Sequence, residues 1–182
     1  MTTAAVQSVW AELLVASLAD AGIRSCVVSP GSREPRISLS TIIDERAAAF
    51  FALGEARATG VPTAIVCTSG TAAAHYLPAI VEASLAGIPL LAITADRPPE
   101  LQACGASQTI DQIHLYGRFV RGSFDLGAPV ASELALRAMR RKIIQAITAA
   151  RGPHPGPVHV EVPLRKPLEP AAPSSDAEHA LA

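Results

Sequence analysis

Apolar residues recur with helical spacing at Val6, Trp10, Leu13, Leu14 and Leu18, and Gly22 follows as a stop, so the chain opens on an amphipathic helix. Short apolar runs then alternate with helical patterns. Residues 24–28 and 37–43 read as strands, and residues 45–59 as a helix with Asp44 as N-cap and Gly60 as C-terminal stop. The unit repeats as strand 63–67, loop 68–70, a helix over 71–86 ending at Gly87, and strand 89–94. Residues 96–115 are polar and irregular, longer than connections usually are, which marks a functional loop. Residues 119–124 read as a strand. Leu136, Met139, Ile143 and Ile147 line one face of a long helix ending near Gly152, and residues 158–162 form a last strand.

Strands alternating with helices predict an α/β fold: a three-layer open parallel sheet with helices on both faces. Polar loops at the carboxyl ends of such strands gather at one rim, where ligands bind. One connection breaks the pattern. Between Val28 and Ile37 lie too few residues for a parallel crossover, which takes about a dozen or more. Either the second strand is not parallel to the first, or about a dozen residues are missing between Arg33 and Arg36.

With 182 residues, 49% of them hydrophobic, the chain suits one sizeable core. A net charge of −1 without a basic stripe argues against nucleic acid or an anionic membrane as partner. The most apolar region, residues 72–95, is interrupted by His75, Pro78, Glu82 and Pro89 and falls short of a membrane span. The N-terminus lacks a basic n-region, and Cys26, Cys67 and Cys104 match neither a disulfide scaffold nor a zinc site. The chain reads as soluble and cytoplasmic.

Each strand-end loop offers chemistry. Glu45 begins a helix, where a carboxylate complements the dipole; at a pocket rim, with Phe50 and Phe51 as apolar neighbours, it would also exchange a proton with a ring nitrogen. Thr68, Ser69 and Gly70 form a small-residue loop that either caps the next helix or admits an anion or a flat ring. Arg33 and Arg97 follow strand ends, from which both would reach into one cleft and fork onto carboxylates. His75 and His114 have no metal-type spacing and read as packing or surface residues, and Cys67 as a small buried hydrophobe.

The segments SPGSR at 29–33, IDERAAAFFALG at 43–54, VCTSGTAAA at 66–74, EASLAGIPLLAITADRPPEL at 82–101 and CGASQTIDQ at 104–112 carry a resemblance. Together they resemble the N-terminal pyrimidine-binding domain of thiamine-diphosphate enzymes, most closely that of the menaquinone-pathway synthases of the MenD family. The resemblance covers residues 5–165. It implies that residues 1–165 form the pyrimidine domain and 166–182 a linker or tail. Thiamine diphosphate is the implied cofactor. Glu45 falls on the glutamate that bonds the aminopyrimidine ring, with Thr68, Ser69 and Gly70 beside the cofactor and Ser32, Arg33, Arg97 and Gln108 on substrate-contacting positions. The implied reaction decarboxylates 2-oxoglutarate and joins the remaining unit to isochorismate, in a homodimer or homotetramer.

Three departures bear on this. Ser107 stands where family members often have Asn, and the helical stretch that follows SPGSR in the family is missing, at the place where the crossover falls short. The Gly-Asp-Gly motif that holds Mg²⁺ or Mn²⁺ and the diphosphate does not occur. The resemblance thus puts the metal on a diphosphate-binding domain outside this chain and implies that the chain alone lacks catalysis. The alternatives are a non-catalytic ligand-binding α/β module, or the pyrimidine domain of another thiamine-diphosphate-dependent 2-keto-acid lyase.

Overall fold

The structure, a computed structural model, describes residues 2–28 and 36–169. In chain order the elements are α1 (Thr3–Asp20), β1 (Ser25–Val28), β2 (Ser38–Thr41), α2 (Glu45–Thr59), β3 (Thr63–Cys67), α3 (Thr71–Ala74), α4 (Leu77–Ala86), β4 (Leu90–Asp96), β5 (Ser123–Asp125), α5 (Glu133–Arg151) and β6 (Val158–Pro163). The six strands form one sheet in the order β2-β1-β3-β4-β6-β5. Every pairing is parallel, with Ile65 opposite Ala92 and Ile93 opposite Val160 at its centre.

The apolar pattern dictates the layering. The inner strands β1, β3, β4 and β6 are almost wholly buried, as strands covered on both faces must be, whereas the short edges β2 and β5 are largely exposed. On one face Val6, Val9 and Trp10 of α1 and Met139, Ile143 and Ile147 of α5 pack over Val28, Leu91, Ile93 and Val160. On the other, Ala48, Ala49, Ala52 and Ala56 of α2 and Ile80 of α4 meet Val27, Ile65, Leu90 and Ala92. Small side chains along α2 bring that helix close to the sheet. Adding bulk there would overpack the layer at a cost of about 1–3 kcal/mol.

The expected helix over 71–86 is divided into α3 and α4. Pro78 has no N–H to give Ala74, and its ring would clash with that carbonyl, so the chain re-forms as a new helix with the proline in its first turn. The strand expected over 119–124 is also shorter. Residues Gly117–Phe119 make a 3₁₀ turn, and the ladder starts only after Arg121 N–H has bonded to the Pro157 carbonyl.

β1 and β2 are parallel, in the register Ser25 to Ser38 through Val28 to Thr41. Of the two alternatives for this connection, the antiparallel strand is therefore removed. Nine residues, 29–37, lead from one strand to the next in the sequence. Ser32 and Arg33 lie outside the described residues.

Local signals at α2 hold as expected. Asp44 Oδ1 accepts the Ala47 N–H at 2.7 Å, and Gly60 closes the helix at φ +69° with its N–H on the Ala56 carbonyl. Asp44→Ala should therefore cost about 1 kcal/mol in chemical denaturation. An unchanged midpoint would show that this cap contributes nothing to folding.

Candidate functional site

Because every strand is parallel, the ends of β2, β3 and β4 deliver Glu45, Thr68–Gly70 and Arg97 to one rim. The chain leaves β1 toward β2 but leaves β3 toward β4, so the strand order reverses between β1 and β3. A crevice opens outside the strand ends at such a reversal. Glu45 is the first residue of α2 and half-buried. No described residue donates a hydrogen bond to its carboxylate, and its charge reaches the Cys67 thiol at the end of β3. Phe50 and Phe51 do not enclose it. They lie roughly 140° and 240° around the helix from Glu45 and are exposed, whereas Ala48, Ala49 and Ala52 share its buried side.

The long loop folds back over the β3 turn and is stitched to it. Ser69 Oγ donates to the Gln108 carbonyl at 3.0 Å, while the Gln108 amide donates to Thr68 Oγ1 at 2.9 Å and to the Ser69 carbonyl at 3.2 Å. Gln108 Oε1 keeps its acceptor capacity, with no donor among the described residues. Gly70 has φ +84°, and a Cβ there would meet the Gln108 carbonyl oxygen at 3.1 Å, so the close approach requires glycine twice over. Gln108 itself sits at φ +56°, an uncommon conformation for its type, held by this seam.

The Gly70 N–H is already bonded to Gln112 Oε1 at 2.7 Å, which removes it from any anion cradle. Arg97 spends its Nε and one terminal nitrogen on the Ser107 carbonyl, at 3.3 and 3.2 Å, and with Ser107, Glu100, Arg165 and Lys166 lines a cavity of about 450 Å³. The backbone of residue 107 makes that contact, so it is indifferent to Ser replacing Asn. Arg165 is held by Glu100 at 2.5 Å, leaving Arg97 and Lys166 as the cations of the cavity without a carboxylate partner among the described residues.

Burial pushes the Cys67 thiol up to about 12, so it stays protonated and inert. The Tyr76 hydroxyl lies beside it with no good hydrogen-bond partner, a thiol being a weak acceptor. His75 and His114 are surface residues.

Four groups with no role assigned from sequence underlie this rim. Thr94 Oγ1 and His159 Nε2 are 2.8 Å apart, and burial lowers the His159 imidazole to about 4. Asp96 accepts the Arg97 N–H and the Gln102 amide, each at 2.7 Å. Glu161, on the adjoining strand, is raised to about 8 by burial, by donating to Asp96 and by that neighbour's charge. The signal was legible in the run Val158–Pro163: His159 and Glu161 interrupt a strand that is otherwise apolar and covered on both faces.

A family model described as thiamine pyrophosphate enzyme, N-terminal TPP binding domain matches residues 9–115, and the chain belongs to that family. The match takes in Glu45, the Thr68–Gly70 turn, Arg97, Gln108 and Gln112. Among curated proteins the chain is 53% identical to the 2-succinyl-5-enolpyruvyl-6-hydroxy-3-cyclohexene-1-carboxylate synthase of Sorangium cellulosum over 175 residues, covering 91% of this chain and 28% of the relative. The same-named synthases of Halorubrum lacusprofundi and Halobacterium salinarum are 49% and 45% identical, over 93% and 100% of this chain and 29% and 34% of theirs. The chain thus spans about a third or less of the length of these relatives. The Halobacterium comparison runs over 198 aligned positions against 182 residues here, so at least 16 positions of the relative have no counterpart in this chain.

Glu161 generates a pH prediction. Folded, it keeps its proton up to about pH 8, whereas an unconstrained carboxyl ionises near 4.5, so stability falls as pH rises across that window. His159 acts oppositely but only below 6.5, where unfolding takes up a proton that the folded ring refuses until about 4. Between pH 6.5 and 8 only Glu161 of the two operates. Glu161→Gln should flatten the decline of Tm in that interval, a decline worth at most about 2 kcal/mol. If the slope survives the substitution, other groups set it.

Proposed function

We propose that residues 1–165 are the domain that receives the aminopyrimidine ring of thiamine diphosphate in a menaquinone-pathway synthase, with 166–182 as a linker or tail. The whole enzyme would decarboxylate 2-oxoglutarate and join the remaining four-carbon unit to isochorismate. One observation carries this reading: the Glu45 carboxylate, unbonded by the described residues, lies on the rim of strand ends, where its charge reaches Cys67 at the end of β3.

The residues present suit the ring. Bound thiamine diphosphate supplies an electron sink for decarboxylation. Glu45 holds or moves a proton at a ring nitrogen of the pyrimidine, Thr68 and Ser69 border it, and Gly70 lets Gln108 close over the turn beside it. Arg97 supplies unspent N–H donors to a substrate carboxylate, and Gln108 Oε1 accepts from a hydroxyl. Ser32 and Arg33 join them by resemblance. The diphosphate and its Mg²⁺ or Mn²⁺ are assigned to a separate domain.

Exposed Ile43, Phe50 and Phe51 near α2, with Leu77 of α4, support a homodimer or homotetramer in which this surface meets another subunit. No helix among the described residues is long and apolar enough to cross a membrane. We place the enzyme in the cytoplasm, acting on small molecules and not on nucleic acid.

In the full-length enzyme, Glu45→Gln should lower turnover on the order of 10²-fold or more while Tm barely moves. Near-normal turnover would remove the proton role. Arg97→Lys keeps the charge but loses the planar fork, so KM for a carboxylate substrate should rise about tenfold with thiamine diphosphate affinity unchanged. Wild-type kcat/KM for both substrates would show that Arg97 recognises neither.

A further inference from the structure

Gln112 is 1% exposed, yet it belongs to an irregular loop and not to any strand or helix of the core. Its amide orientation is fixed by backbone partners of known polarity. Oε1 faces a donor, the Gly70 N–H at 2.7 Å, and Nε2 faces an acceptor, the Ala95 carbonyl at 3.0 Å. Nε2 also lies 3.4 Å from Thr94 Oγ1, at the long limit of a hydrogen bond. One side chain therefore spans the ends of β3 and β4. The residues it joins precede, on one side, nothing but the helix that follows Gly70, and on the other the Asp96-Arg97 pair.

Between these anchors the loop carries Gln108, whose carbonyl lies 3.1 Å from where a Gly70 Cβ would stand and whose amide is bonded to Thr68 and Ser69. Gln108 is locked to the β3 turn, and Arg97 is locked to residue 107. The gap between Arg97 and Gln108 is thus set by where the loop is pinned against both strand ends. We infer that Gln112 is a positioning residue for the second substrate: it sets the spacing of Arg97 and Gln108 without touching that substrate itself. The inference rests on the synthase reading and adds a residue to it.

The chemistry makes the residue type specific. Leu in place of Gln112 fills similar space but strands a buried N–H and a buried carbonyl. Glu keeps an acceptor for Gly70 N–H but sets a second oxygen against the Ala95 carbonyl. Leu loosens both anchors and Glu the one at Ala95, while Arg97 and Gln108 stay chemically intact.

The test is a double-mutant cycle in the full-length synthase, reading KM for isochorismate, kcat for decarboxylation of 2-oxoglutarate alone, and thiamine diphosphate affinity. Gln112→Leu should raise KM about fivefold or more, leave the other two near wild type, and add little in a Gln108→Ala background because both act through one contact. Where Gln112→Leu does not fold, Gln112→Glu replaces it in the same cycle. Additive effects, or losses spread evenly over all three readouts, would overturn the inference, as would failure of both variants to fold, which would assign Gln112 to the core. Gln108→Ala with a raised KM beside a wild-type Gln112→Leu sinks this inference alone. An unchanged KM for both Gln108→Ala and Arg97→Lys sinks the substrate reading on which it stands.

Discussion

A parallel strand can follow another only after the chain has travelled back the length of the sheet, and this constraint governs the molecule. The returns from β2 to β3, β3 to β4 and β5 to β6 are made by helices, helices cover both faces, and so the inner strands must be apolar on both sides. The polar groups displaced from the layers collect at the rim where the strands end. Glu45, the Thr68–Gly70 turn, Arg97 and the loop bearing Gln108 meet there although they span more than 60 residues of sequence. The return from β4 to β5 is the exception among the described residues, since it runs through the irregular loop and 3₁₀ turns instead of an α-helix.

Much of this was legible because the signals were local. The α2 boundaries follow from Asp44 and Gly60, β3 from an unbroken apolar run, and the buried face of α5 from four residues at helical spacing. What escaped depends on contacts across the sheet. Nothing near Gln112 in sequence reveals that its partners are Gly70 and Ala95, and nothing near Glu161 reveals that Asp96 lies on the next strand. Pro78 was visible, yet its effect lost to the general helical pattern around it; its missing N–H decides where α4 begins. Glu45 was found from position, but the apolar neighbours assigned to it were wrong by helical geometry, since Phe50 and Phe51 turn away.

The irregular loop stores local strain that the seam offsets. Ala103, Gln108 and His114 all have positive φ, and left-handed residues other than glycine cost of order 1–3 kcal/mol each. His114 keeps a local turn bond, its carbonyl accepting the Gly117 N–H at 2.8 Å, whereas Gln108 is tied across to the strand ends by Ser69, Thr68 and, one residue away, Arg97. A free loop would relax. Here it is fixed at both ends of its contact with the strand termini, by Gln108 over Gly70 and by Gln112 beneath it, so the exposed acceptor Oε1 is presented from a rigid backbone.

Asp44 and Glu45 show how neighbouring carboxylates divide two tasks. Both lie at the positive end of α2, where either contributes favourably to the helix by about 0.3–1 kcal/mol through its charge. Asp44 precedes the helix in extended conformation, so its short side chain folds back onto the Ala47 N–H. Once that donor is satisfied, the helix makes no further demand on Glu45. Its charge, one residue on, is instead felt by the buried Cys67 thiol at the end of β3 and is not neutralised by a cation among the described residues. Folding is served by the first acid, and for that reason the second remains available to a ligand.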